Sequence, residues 1–480
     1  MKTNFLFIML LSVCFLACKG KPDTAKKSTD TEDTDAKAGA QIEVSKGVTT
    51  AKFLSLSDVH INRNRSETNY KQVTGTELWK RTEDKIKTVI TAENPKFMVY
   101  LGDLPAYIDS ERANNSHAML QNLRALKLDI PILYLPGNND SLEGDYHSFT
   151  NGTNNSVITN DFVAGNNWPV LNANSTKITV SNLDFSKEFG YYSVDLIDTN
   201  GTLKVIALNT VIFSSKEVQD PETGNYHIAY NSKKNSAGDY TYGDDGISQQ
   251  AATEKQMHWL ETTLGKLGKN DRVLLMMHIP IGIDGYGGTA MWNPELTFTN
   301  SAGTMLPLHD GFIELLSKKQ SNIVGLLNGH THMDGLRRIY KTPAKPPRTS
   351  NKEGDMISFS ISTPGIAVNH DNNPAFKVFT YDESNFDLLD FTTYYAAPTD
   401  TNKQGDFKFM PNTTYTFNDT FEVAKPNMPI FETLANQTEE IVIQNVNKIY
   451  GAMALHKNKQ TGKEELVTLN YGNSVDVHKN

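Results

Sequence analysis

Cysteine is nearly missing from this chain: of 480 residues only Cys14 and Cys18 are cysteines, both in the first eighteen positions. A mature chain beginning at Cys18 would hold no second cysteine, which excludes an internal disulfide and leaves metal ligation to His, Asp and Asn. Membrane-spanning runs are wanting as well, since the apolar stretch at residues 5–17 is too short to cross a bilayer comfortably. An excess of positive charge is also absent. Lys and Arg number 46 against 55 Asp and Glu, the net charge is −9 and the basic residues are dispersed. That pattern argues against a nucleic-acid polymer as partner while leaving nucleotides open as substrates. No internal repeat is visible, and the length suits one large core or two to three ordinary domains.

The opening eighteen residues combine an early lysine, the apolar run and a small residue before Cys18, the pattern of a signal peptide over residues 1–17. Phe15, Leu16, Ala17 and Cys18 resemble a bacterial lipobox, with Phe15 in place of the usual aliphatic residue. The expectation is an exported lipoprotein anchored at Cys18, periplasmic or on the outer-membrane surface; an ordinary signal peptide cut nearby would keep the compartment and lose the anchor. Residues 18–48 read as a flexible tether, because a stretch of Lys, Asp, Thr and Ala buries too little apolar surface to offset its ordering entropy.

Residues 49–395 carry alternating strand and helix signals. Apolar runs near 53–57, 96–101 and 130–135 read as strands, and helical periodicity falls at 77–92 and 116–128. Further strands are expected at 191–196, 203–209, 273–277, 323–327, 356–362, 377–381 and 386–391, with helices at 249–267 and 309–318. This alternation implies an α/β layered fold. Residues 141–186 read as loop and 214–248 as a long polar excursion, while 396–480 form a C-terminal extension with a helix at 429–452.

The chemistry lies where the apolar runs stop. Asp58 and His60 follow the first, and residues two apart on a strand share a face, so both can reach one point beyond its end. Asp103 follows the second, Asn138, Asn139 and Asp140 the third, His278 the run at 273–277, and His330 and His332 the run at 323–327. In open α/β sheets ligands bind at such strand ends. Hard oxygen and imidazole donors in this number suit a pair of divalent ions. Two ions roughly 3.5–4 Å apart can clamp a phosphate and generate hydroxide from water. A lone His after a strand is more often structural, but seven donors on five strand ends are not explained that way.

These motifs, DVH, GD, GNND, a lone His in MHIP and GHTH, resemble those of the calcineurin-like metallophosphoesterase superfamily. GDLPAY from Gly102, WLETTLGKL leading to HIPIG, and NNPAFKVFTYD from Asn372 are similar to acid sphingomyelinase-like phosphodiesterases within it. The resemblance implies a four-layer αββα sandwich of two mixed sheets with a mainly helical C-terminal extension. It implies that Asp58, His60 and His332 hold one metal, Asn138, His278 and His330 a second, and Asp103 bridges them. Zinc is the expected metal, with manganese and iron also suited to the donors. The implied activity is hydrolysis of phosphodiester or phosphoanhydride bonds by metal-bridged hydroxide, on a phospholipid or nucleotide. Phosphomonoester hydrolysis, or non-catalytic capture of phosphorylated ligands at the surface, are the alternatives.

Asn139 departs from the family pattern, which has histidine there, and an amide cannot protonate a leaving group. Asp140 fills the acidic position and is expected to orient its neighbours. Purple acid phosphatases, a sister group, place a tyrosine ligand three residues after the bridging aspartate; Tyr107 is four after Asp103 and reads as a pocket or packing residue. Residues 282–293, with Tyr286 and Trp292 among glycines, are candidates for substrate selection or for packing, and His117 and His147 lie near the motifs with no spacing argument.

Overall fold

The strand β1 (Thr50–Leu56) buries side chains on both faces, Ala51 and Phe53 on one, Leu54 and Leu56 on the other. It therefore has to be covered twice. The same division continues in β2 (Phe97–Tyr100) and β3 (Ile132–Tyr134): Phe97, Val99 and Leu133 join Phe53, whereas Met98, Tyr100, Ile132 and Tyr134 join Leu54. Helices α1 (Thr76–Glu93) and α2 (Arg112–Ala125) form the crossovers between these three parallel strands. Right-handed crossovers put both on one face, where Leu78, Trp79, Ile86, Met119, Leu120 and Leu123 meet the outward set.

The computed structural model describes residues 48–479 apart from 127, 149–167, 220–222, 235–239, 243–247, 285–287, 343–355, 399–404, 424, 454, 458–463 and 467–474. The signal peptide, nearly all of the tether and Tyr286 lie outside the described residues.

The chain continues through β4 (Val170–Leu171), β5 (Thr179–Phe185), β6 (Tyr192–Ile197), β7 (Thr202–Leu208), α3 (Gln249–Gly265), β8 (Arg272–Met277), α4 (Leu308–Lys318) and β9 (Ile323–Asn328). It then runs through β10 (Gly335–Tyr340), β11 (Met356–Ser362), β12 (Ala375–Asp382), β13 (Leu388–Tyr395), β14 (Thr414–Thr416), α5 (Ile430–Ala435), α6 (Glu439–Met453) and β15 (Asp476–His478). Short additional hairpins and 3₁₀ turns decorate this frame.

One sheet has the order β14-β13-β12-β1-β2-β3-β4 and the other β15-β10-β11-β9-β8-β7-β6-β5, both mixed. Val194, Val205, Ala207, Leu274, Met276 and Leu327 of the second sheet share a core with Phe53, Phe97 and Leu133 of the first, so the sheets face each other. The other face of the second sheet, through Ile206, Leu208, Leu275 and Met277, packs with Met257 and Leu260 of α3 and Phe312 and Ile313 of α4. The layering is helix, sheet, sheet, helix. Across the first sheet a row of stacked rings crosses three strands, with centroids 4.7 Å apart for Phe97 and Phe53 and 4.9 Å for Phe53 and Phe379.

β4, β5, β10, β14 and β15 were not expected as strands, and one expected helix is two. β5 lies inside the segment expected to be loop, because this edge strand is at most half-buried and carries no apolar alternation. β10 was not anticipated, since its two adjacent arginines, Arg337 and Arg338, mask a strand that is buried throughout. The helix expected at 429–452 is two helices: α5 ends at Ala435 with Asn436 capping it, and the Thr438 hydroxyl accepts the amide of Ile441 at the start of α6.

The chain beyond residue 395 contributes to both sheets, through β14 and β15. β15 is held by Arg338, which donates to both carboxylate oxygens of Asp476 at 2.7 and 2.8 Å and to the carbonyls of Leu434 and Gln437 at 3.2 and 2.8 Å. Both partners of this ion pair are buried. Removing one partner strands the other without a counter-charge, so Asp476→Ala is expected to lower unfolding free energy by about 3–5 kcal/mol in urea denaturation. A loss below about 1 kcal/mol would show that the pair does not hold the strand.

Candidate metal centre

β1, β2 and β3 are parallel, so their C-terminal ends reach one edge of the first sheet; β8 and β9 do the same in the second. Asp58 and His60 leave β1, Asp103 leaves β2, Asn138 leaves β3, His278 leaves β8, and His330 and His332 leave β9. The structure brings all seven together. Asp103 Oδ2 lies 3.3 Å from Nε2 of both His60 and His278. Asp58 Oδ1 is 3.4 Å from His332 Nε2 and 3.9 Å from Nε2 of His60 and of His278. Asn138 Oδ1 is 2.9 Å from both His278 Nε2 and His330 Nδ1.

The route by which Asp58 and His60 converge differs from the one expected. β1 stops at Leu56, and the two residues reach the centre from left-handed backbone, φ 48° and 46°, instead of from alternation along a strand. Asp103 (64°), His330 (72°) and His332 (58°) share that conformation. For a non-glycine residue it costs on the order of 1–3 kcal/mol and persists only where surrounding contacts over-determine it. Those contacts are present: the amides of Asp58 and His60 donate to the carbonyls of Gly102 (3.0 Å) and Asp103 (3.2 Å), and the His330 amide donates to the Asp58 carboxylate. At Gly329 a Cβ would stand 2.0 Å from Ser57 Oγ and 2.7 Å from Asp58 Oδ2, so only glycine lets the last loop come this close.

The imidazoles are oriented by their outer nitrogens. Nδ1–H of His60 donates to the Pro105 carbonyl (3.0 Å), that of His278 to Leu101 (2.6 Å) and that of His332 to Ala367 (3.3 Å). Each Nε2 is thereby left as a lone pair aimed inward. Nε2 of His60 and His332 then stand 3.2 Å apart, both buried, a spacing that a shared cation would satisfy. Two ligands on one tetrahedral ion with bonds of about 2.0–2.1 Å lie about 3.3–3.4 Å apart. The separations of His60 from His332 (3.2 Å), of Asp58 from His332 (3.4 Å) and of Asp103 from His60 and His278 (3.3 Å) lie near this value, and the donor set fits divalent ions. Two overlapping groups, Asp58 with His60 and His332, and Asp58 with Asp103 and His278, each converge closely enough to hold one.

Electrostatics follow from burial and mutual contact. Burial pushes Asp58 up to about 6 against the pull of neighbouring His278 and His60. Burial acts the same way on Asp103, but facing His278 and His60 outweigh it and hold that carboxyl well below the usual range. Desolvation would lower His278, yet the Asp103 carboxylate raises it to about 9, whereas His330 falls to about 3 through burial and repulsion from His278. His332 is likewise driven well below the ordinary value, by burial and then by His370 and His60.

Asn139 and Asp140 occupy the same loop in different roles. The Asn139 amide nitrogens donate to Asp103, backbone to Oδ1 at 2.7 Å and side chain to Oδ2 at 3.1 Å, and its carbonyl accepts from Arg112 at 2.6 Å. Asp140 accepts the backbone amides of Asp103 (2.8 Å), Leu104 (2.7 Å) and Gly137 (2.7 Å), joining the exits of β2 and β3. Tyr107 sits nearer the centre than a simple packing residue: its ring stacks on His60 at 4.5 Å and its hydroxyl lies 3.2 Å from His60 Nε2. Trp292 is buried, donating to the Ile279 carbonyl and packing on Phe213 and Phe312, which makes it an anchor of its loop. His147 is buried with Nδ1 against the carbonyl (3.2 Å) and hydroxyl (2.9 Å) of Ser232, and His117 lies on α2 beside Gln121.

Three residues at the centre carried no signal of spacing. Asp145 accepts from Asn138 Nδ2 at 2.6 Å, the Tyr146 hydroxyl is 3.4 Å from His330 Nε2, and the His370 ring lies 4.5 Å from that of His332. His370 precedes the NNPAF stretch by one residue beyond Asp371, the only sequence hint of its place.

The chain is similar in sequence to several known phosphodiesterases. The chain is 21% identical over 331 residues to cyclic GMP-AMP phosphodiesterase SMPDL3A of Bos taurus, covering 66% of this chain and 60% of that protein. It is 28% identical over 152 residues to acid sphingomyelinase-like phosphodiesterase 3b of Homo sapiens, 32% of this chain and 31% of that protein. The match to sphingomyelinase phosphodiesterase D of Dictyostelium discoideum is 24% over 308 residues, covering 63% and 56%. The chain thus spans less than two thirds of the length of each. A solved dimetal phosphatase from Danio rerio superposes with a TM-score of 0.37 at 13% identity, covering 76% of this chain and 98% of that one. The model of the family described as calcineurin-like phosphoesterase matches residues 51–334, more than half of the chain and all five strand exits that carry the donors, and the protein belongs to that family.

Proposed function

We propose that the protein is an exported, metal-dependent phosphodiesterase that holds two divalent ions, zinc foremost, between its two sheet edges. The observation that supports this most directly is the Asp103 carboxylate, whose Oδ2 is 3.3 Å from a histidine of each half of the site. One ion would be held by Asp58, His60 and His332 and the other by Asn138, His278 and His330, with Asp103 shared. Bound there, the pair supplies Lewis-acid activation of water and of a phosphoryl oxygen. The chain's own contribution is positioning. Asp103 is fixed by the Asn139 amides, the imidazoles of His60, His278 and His332 by backbone carbonyls, and Asp140 holds the loops of β2 and β3 in register. The named relatives act on cyclic GMP-AMP or are sphingomyelinase-like, so a nucleotide or phospholipid diester is the substrate class we assign.

Anchoring rests on the lipobox-like residues before Cys18. Among the described residues no helix is long and apolar enough to cross a membrane. Cys18→Ser is expected to move the protein from the membrane to the soluble fraction in the native host; unchanged membrane association would refute lipidation at Cys18.

His278→Ala is expected to remove bound metal and cut diester turnover by more than about 100-fold, since even outer contacts to metal ligands typically cost 10–100-fold. Full turnover by metal-stripped wild-type protein would end the proposal.

Asn139 supplies an N–H to Asp103 but no acidic proton, so leaving groups stable as anions should be favoured. A general acid contributes roughly 10²- to 10⁴-fold. Asn139→His should therefore raise the rate on an alkyl diester at least about 10-fold more than on a p-nitrophenyl diester. An equal response on both would indicate that another group already protonates the leaving oxygen. His370, beside His332, is then a better placed donor than His147, which faces Ser232.

A further inference from the structure

Asn138 is the one amide among the seven donors, and an amide has two ends of which only the oxygen has a lone pair to give a metal. A carboxylate or an oriented imidazole cannot present the wrong atom, but a half-turn of the Asn138 amide would put NH₂ where Oδ1 stands, 2.9 Å from both His278 and His330. Something must select between the two. The side-chain nitrogen donates to Asp145 Oδ1 at 2.6 Å, and a carboxylate accepts only, so the flipped amide would place oxygen against oxygen. The chain between these residues is shaped for the contact: the Tyr146 amide donates to the Asn138 carbonyl at 2.7 Å, closing the loop 138–146, and Gly144 turns it at φ 143°.

We infer that Asp145 is a positioning residue that makes Asn138 a metal ligand by locking its amide with the oxygen inward, and so sets the affinity of the ion shared with His278 and His330. The inference rests on the two-ion reading above. It requires of Asp145 an acceptor facing Asn138 and nothing more, so Asn at 145, which can still accept through its own Oδ1, should serve nearly as well. It also requires that the role vanish when residue 138 has no wrong end. In Asn138→Asp, both side-chain atoms are oxygens, and Asp145 then becomes a like charge beside the ligand instead of a guide.

The test is metal retention by the full chain loaded with Mn²⁺ and dialysed against rising chelator, with metal per chain measured by mass spectrometry and folding checked by circular dichroism. Wild type should hold two ions. Asp145→Ala should lose one of them at 10- to 100-fold lower chelator, the range typical of outer contacts to metal ligands, and keep the other. Asp145→Asn should stay within about 3-fold of wild type, well inside that range. In the Asn138→Asp background, Asp145→Ala should leave retention unchanged or improve it. A wild-type chain that holds fewer than two ions would overturn the two-ion reading and this inference with it. Two ions in wild type with no loss in Asp145→Ala would overturn the inference alone. So would an equal loss in the Asn138→Asp background, because packing and not amide orientation would then be the cause.

Discussion

Seven electron-pair donors converge on a largely buried spot between two sheet edges, and most of the surrounding structure serves to hold them there against their mutual repulsion. Two imidazole lone pairs 3.2 Å apart are tolerable in an open loop, where either ring can turn away. Here neither can turn, because Nδ1 of each is tied to a backbone carbonyl. The His278 ring, carried by the second sheet, is likewise tied to the Leu101 carbonyl at the end of β2 in the first, so the orientation of a histidine from one sheet depends on backbone contributed by the other. Sheet-to-sheet packing is thus a condition of the chemistry, and the stacked row of Phe97, Phe53 and Phe379 lies in that packing layer on the strands that lead to the site.

The left-handed backbone at five of the donors carries a cost of its own. It also explains how residues close in sequence can aim at one point while leaving strands whose side chains would otherwise diverge. Asp140 illustrates the compensation. Its buried carboxylate gives three backbone amides a partner and keeps the exits of β2 and β3 a hydrogen bond apart. Its pKa is pushed up to about 6 by burial and by Asp103, so the loop is held at some expense in desolvation.

Much of this was legible because metal donors here sit directly after apolar runs, where periodicity marks a strand and the first polar residues mark its end. Asp58, His60, Asp103, Asn138, His278, His330 and His332 were all visible in that way. What escaped notice lacked a period or a spacing. β5 is half exposed and polar, and β10 hides behind Arg337 and Arg338, whose burial depends on partners far along the chain. Asp145, Tyr146 and His370 reach the centre through loop closures that no short-range pattern encodes. The left-handed φ of Asp58 and His60 was equally hidden, since the spacing of two fits a strand as well as a pair of tight turns.

The place of β12 and β15 in the sheets has a consequence for timing. β1 pairs with β2 on one side and on the other with β12, whose Asp382 stands opposite Thr50; β10 acquires its outer neighbour only from Asp476–His478. A chain emerging from the ribosome amino end first would expose an edge of each sheet until those late strands arrive, and pairings so distant in sequence close slowly. An unpaired edge invites association with other chains.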